Sequence, residues 1–129
     1  MILLDTHVLV WSVADSQRLT RAAAAAIRQA QRAEGLAISA ITLWELAWLA
    51  THGRLDITGT VESFVEKIAS RTVIRSITAR VAVLATQLPA SYSPDPCDRL
   101  IGATALSEGI PLVTKDRNIR KYSAIKTIW

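Results

Sequence analysis

The sequence is poor in the residues on which several common chemistries depend. Cys97 is its single cysteine, so no intramolecular disulfide forms and a cytosolic address is the natural expectation. Pro96 and Asp98 flank that thiol and offer nothing to lower its pKa, which argues against a cysteine nucleophile. Only two histidines occur, His7 and His52, at unrelated positions, so a histidine-based metal site is not expected. The five glycines form no phosphate-cradling loop. Long apolar runs are missing as well. Asp5 interrupts the N-terminal one almost at once, against a signal peptide, and Val8–Val13 is far too short to span a bilayer.

What remains is ordinary globular material. With 129 residues, half of them hydrophobic and a fifth charged, the chain suits one folded domain over 1–129 and not a disordered one. The net charge of +4 fits a polyanionic partner without demanding one. Arg18, Arg21, Arg28 and Arg32 recur through one helical region; a solvated face explains them, and attraction to an RNA backbone is the sharper alternative.

Short apolar runs alternate with helical patterns. Ile2-Leu3-Leu4 reads as a buried strand ending at Asp5, followed by a helix over 7–14 capped by Asp5 or Thr6. A second helix runs from the cap Thr20 to Glu34 and stops at Gly35. The run Ala22–Ala26 inside it needs only helix propensity as its explanation. Strands are expected at 36–38, 72–74 and 112–114, with an edge strand at 126–129. The intervening helices fall at 39–52, from Thr58 or Gly59 to Ser70, at 79–88, and from the cap Asp95 through Pro96 to Glu108. Three of the four prolines fall in 89–96, which must be a loop. This alternation predicts a three-layer α/β/α domain around a parallel sheet of four to five strands.

In such folds ligands bind beyond the carboxyl ends of the strands. Asp5 follows the first strand and Asp116 the strand at 112–114, while Glu45 lies early in the helix after the second strand. Asp98 stands in the first turn of the helix capped by Asp95. Converging carboxylates repel one another and invite a cation, and a set of oxygens alone suits Mg²⁺ or Mn²⁺. Such an ion binds a phosphodiester and activates water. Each acid also has a plainer account: Asp5 as a helix cap, Glu45 as the partner of Thr42 in a capping box, Asp98 as a first-turn acid, and Asp116 as a turn residue. Their common placement favours the shared site.

Taken in order, the segments Leu3-Leu4-Asp5-Thr6-His7, Ser39-Ala40-Ile41-Thr42-Leu43-Trp44-Glu45-Leu46, Asp95-Pro96-Cys97-Asp98-Arg99-Leu100-Ile101-Gly102-Ala103-Thr104-Ala105 and Leu112-Val113-Thr114-Lys115-Asp116 resemble the PIN domain. Within it they are most similar to the VapC-type toxin ribonucleases, and the likeness spans nearly the whole chain. The resemblance implies Mg²⁺- or Mn²⁺-dependent RNA cleavage, with Asp5, Glu45, Asp98 and Asp116 sharing the metal and water attacking. It also implies neutralisation by a cognate antitoxin, and a homodimer. Thr6 and Thr114 lie next to the acids as hydrogen-bonding supports. Trp11, Trp44 and Trp48 are candidates for a hydrophobic antitoxin groove, with core packing as the default account. Arg99 is expected to form a structural ion pair. The sequence departs from the pattern at Ser93, where a histidine is frequent, and at Cys97, where an aromatic or small apolar residue is common.

Two other readings stand beside this one. A phosphoryl-transfer domain would use Asp5 with Lys115, although no second acid lies near Asp5 in sequence. A catalytically silent binding module would keep the fold alone.

Overall fold

A computed structural model describes all of residues 1–129. The elements in chain order are β1 (Ile2–Leu4), α1 (Thr6–Ala14), α2 (Arg21–Arg32), β2 (Leu36–Ser39), α3 (Ala40–Thr51), α4 (Val61–Arg71) and β3 (Val73–Arg75). They continue with α5 (Ala79–Gln87), α6 (Pro96–Glu108), β4 (Leu112–Val113), α7 (Arg117–Lys121) and β5 (Thr127–Ile128). A single turn of 3₁₀ helix, Ser16–Arg18, follows α1.

The strands form one parallel sheet in the order β3-β2-β1-β4-β5, with Leu3 opposite both Ala37 and Leu112. Successive strand side chains point to opposite faces, and both faces here are apolar. Ile2, Leu4, Leu36 and Ile38 pack on one side with Val8, Ile27, Leu46 and Ile68. Leu3, Ala37 and Leu112 pack on the other with Tyr92, Ile101 and Ile119. The sheet is thus the middle of three layers, as the alternating pattern predicts.

Several boundaries differ from the sequence expectation for local reasons. α4 begins at Val61 and not at 58 or 59, because Gly59 sits at φ +82° and the Thr60 hydroxyl caps the helix by accepting from Ser63 N. α2 ends at Arg32, short of Glu34, whose carboxylate instead holds the N-terminal ammonium at 2.9 Å. α7 was not expected at all; at five residues it carries too little periodicity to be read from sequence. The chain runs outward from β1 through β2 to β3 and then crosses back to β4 on the other side of β1. The strand order therefore reverses between β1 and β4, and a crevice opens there at the carboxyl ends.

Candidate active site

Asp5 is the first residue beyond β1. It caps α1, and burial leaves it only 7% exposed. One carboxylate oxygen accepts from Thr6 N at 2.8 Å, and the other accepts from the Thr114 hydroxyl, also at 2.8 Å. Thr6 Oγ1 donates to Glu45 Oε1 at 2.6 Å, so the Thr42 hydroxyl, 3.0 Å away, must be the donor to Thr6. Thr6 therefore ties its neighbour Asp5 to Glu45, which lies 39 positions after Thr6 in sequence. Thr42 and Glu45 form no capping box, since Ser39 is the residue that caps α3, accepting from Ile41 N.

Asp98 lies in the first turn of α6, where Asp95 is the N-cap and Pro96 the first helical residue. Its Oδ2 accepts from Ser93 Oγ at 2.8 Å. Asp116, beyond β4, caps α7 by accepting from Asn118 N and Ile119 N, a more defined role than a turn residue. Asp5, Asp98 and Asp116 line one cleft of about 580 Å³. Glu45 opens on an adjoining cleft with Trp44 and Trp48, and His7 and Asp95 border both. Asp95, a fifth acid, was legible in the sequence only as a helix cap. Lys115, Arg117 and Trp11 complete the wall of the first cleft.

Burial is the main force on Asp5, Glu45 and Asp98, and it favours their protonated forms. It raises Asp5, opposed by the Thr114 bond and supported by the charge of Asp116. It raises Glu45, opposed by Thr6 and supported by Asp5 and Asp95. Asp98 is raised to about 6, again first by burial, with Ser93 opposing and Asp5, Asp95 and Glu45 adding repulsion. Acids that raise one another in this way are under electrostatic stress that a cation relieves. No three acid, histidine or cysteine side chains are drawn together closely enough to grip an ion as they stand. The donor chemistry, carboxylate oxygens without a committed nitrogen or sulfur, nevertheless fits a hard divalent metal. Cys97 takes no part as a thiolate, since burial pushes its thiol up to about 12.

Arg99 departs from expectation. It meets no carboxylate; its guanidinium donates to the carbonyl oxygens of Ala85, Leu88, Pro89 and Ser93. A five-donor fork matched to a turn of clustered carbonyls explains why arginine stands there. The tryptophans separate as well. Trp44 is 57% and Trp48 36% exposed on α3, with His52 stacked on Trp48 at 4.0 Å. Trp11 is half-buried against Trp129, with Arg18 and Lys115 over its ring. Arg21, Arg28 and Arg32 are exposed on α2. A separate apolar groove of about 360 Å³ runs between α1, α2 and α4 and includes Leu9, Val13, Ile27 and Phe64; nothing in the sequence reading singled it out.

An αβα sandwich with acids gathered at the carboxyl edge of β1 and β4 is the arrangement of a PIN-like domain, and comparison with known proteins agrees. Residues 2–125 match the PIN domain family, and the chain belongs to it. It is 43% identical to Ribonuclease VapC22 of Mycobacterium tuberculosis over 130 residues, covering 99% of this chain and 98% of the relative. Among solved structures, VapBC2 from Rickettsia felis, bound to a promoter DNA fragment, matches with a TM-score of 0.73 at 20% identity, covering 98% of this chain and 97% of that one. DNA-bound VapBC from Salmonella typhimurium gives 0.71 at 21% identity, covering 98% and 95%. These two likenesses are likenesses of fold.

Proposed function

We propose that the chain is a ribonuclease of the VapC type, the toxin of a toxin–antitoxin pair, acting as one nuclease domain over residues 1–129 and inside the cell. The observation that carries this reading is the convergence of Asp5, Asp98 and Asp116 on one cleft, in a chain 43% identical to a named ribonuclease. Asp5, Glu45, Asp98 and Asp116 would hold Mg²⁺ or Mn²⁺. Bound there, the ion would supply a water of lowered pKa and charge neutralisation for hydrolysis of a phosphodiester. Thr6 and Thr114 orient the buried oxygens of Asp5 and Glu45. Lys115 and Arg117, on the cleft wall, meet the phosphates that flank the cleaved one.

A phospho-acceptor role for Asp5 fits poorly, because the chain has no glycine loop to cradle a phosphate. The bound antitoxin is read onto the exposed tryptophans Trp44 and Trp48. Trp11 suits that role less well, being packed behind its two cations. A homodimer completes the expected assembly. No helix is long and apolar enough to cross a membrane.

The deciding experiment incubates structured RNAs with the purified protein, with and without Mg²⁺ or Mn²⁺, beside Asp98→Asn. Metal-dependent cleavage that disappears in the variant is the expected result. A protein inert toward varied RNAs with every metal would leave the silent binding module as the better reading.

A further inference from the structure

The segment between α5 and α6 has more bonds into the site than a connecting loop requires. Leu88–Ser93 folds back on itself, with Tyr92 N donating to Pro89 O at 3.0 Å. Arg99 then fastens the turn: its Nη1 donates to Pro89 O at 3.2 Å and to Ser93 O at 3.0 Å, its Nε to Ala85 O at 2.9 Å, and its Nη2 to Leu88 O. One arginine on α6 thus holds the backbone that runs over the same helix.

The height of this strap is set by Tyr92 and Gly102. Tyr92 is 1% exposed, and its hydroxyl finds no hydrogen-bond partner, so the residue acts through its bulk. A Cβ on Gly102 would stand 2.0 Å from Tyr92 Oη and 2.6 Å from Cζ, so no side chain fits at that position beneath the ring. Glycine in a helix interior costs about 1 kcal/mol relative to alanine, and a packing demand of this kind is what retains it. Gly102 lies four residues after Asp98, on the same face of α6. Tyr92 is therefore seated one turn away from the acid, and its neighbour Ser93 falls beside the carboxylate.

Ser93 itself is 6% exposed, and its hydroxyl is fully directed. Its oxygen accepts from Asp95 N at 3.1 Å, and its proton goes to Asp98 Oδ2 at 2.8 Å. An ionised carboxylate only accepts, so the direction of this bond is fixed. Oδ2 is thereby occupied, and Asp98 is left with Oδ1 as its freer oxygen.

We propose that Leu88–Ser93 is a positioning strap for Asp98: Arg99 fastens it, the Tyr92–Gly102 contact sets its height, and Ser93 fixes the carboxylate in the orientation that receives the metal. Ser93 is a positioning residue and touches no reactant. The inference rests on Asp98 being a metal ligand, and its test separates the two ideas.

The test is titration of the full-length protein with Mn²⁺ alone by calorimetry, in the wild type, Ser93→Ala, Gly102→Ala, Tyr92→Leu/Gly102→Ala and Asp98→Asn, at a temperature where circular dichroism shows each folded. Ser93→Ala is expected to weaken Mn²⁺ binding about tenfold or more, the usual effect of removing a bond that orients a ligand. On RNA it should lower kcat with little change in KM. Gly102→Ala is expected to weaken Mn²⁺ comparably, and the double variant to recover most of the loss, because leucine at 92 vacates the space that the new methyl needs. Wild-type Mn²⁺ affinity in Ser93→Ala, with affinity lost in Asp98→Asn, would overturn the strap while leaving the metal site standing. Wild-type affinity in Asp98→Asn as well would overturn both. Should Gly102→Ala fail to fold, Ser93→Ala still decides the matter.

Discussion

Replacing Asp98 by asparagine should make the metal-free protein more stable at neutral pH while removing its activity. Burial and the charges of Asp5, Asp95 and Glu45 lift the Asp98 pKa from 3.8 to about 6. The native state therefore holds this proton more tightly than the unfolded chain does. The stability contributed by the protonated form is complete below about pH 4 and is lost as pH rises through about 6. Two pKa units correspond to about 3 kcal/mol, and solvent screening at a half-buried site reduces this to roughly 1–1.5 kcal/mol. Asparagine is isosteric, still accepts from Ser93 Oγ, and carries no charge to be repelled. In EDTA at pH 7.5 the variant should melt about 4 °C above the wild type, given the usual relation between stability and melting temperature at this chain length. The gap should close by pH 4. Adding Mn²⁺ should raise the melting temperature of the wild type by mass action and leave the variant nearly unmoved. A variant that melts at or below the wild type at pH 7.5 without metal, or a gap that persists at pH 4, would refute the account of electrostatic stress at this site.

Thr114→Val deletes the hydroxyl that donates to buried Asp5 and should weaken Mn²⁺ binding by about tenfold or more, readable by calorimetry. Lys115→Ala should weaken binding of single-stranded RNA, measured without metal, and reduce the slope of log affinity against log salt by about 0.7; an unchanged slope would place Lys115 off the RNA path. Trp48→Ala should weaken antitoxin binding more than it lowers the melting temperature, because the ring is already partly exposed; equal losses in both would assign Trp48 to packing. Arg99→Lys should lower stability by about 2 kcal/mol or more in urea unfolding, since one ammonium cannot satisfy the four carbonyls that the guanidinium bridges.

The local elements were written plainly in the sequence because their causes are local. Apolar runs at Ile2–Leu4 and 36–38 set buried strands, Thr20 sets a cap, and the Asp95-Pro96 pair sets the start of α6. The four candidate acids could be picked out because each follows a strand or opens a helix near the same edge of an α/β sheet. What sequence could not supply was anything that depends on which elements become neighbours. Thr6 reaches Glu45 across 39 residues and Thr114 reaches Asp5 across 109, and only the order β3-β2-β1-β4-β5 brings those pairs together. The division of the site into two adjoining clefts, with Asp95 on the rim of both, follows from the same packing. Arg99 shows the limit most sharply. Its charge suggested an ion pair, yet its partners are backbone carbonyls, which every residue carries and which therefore leave no mark in the sequence.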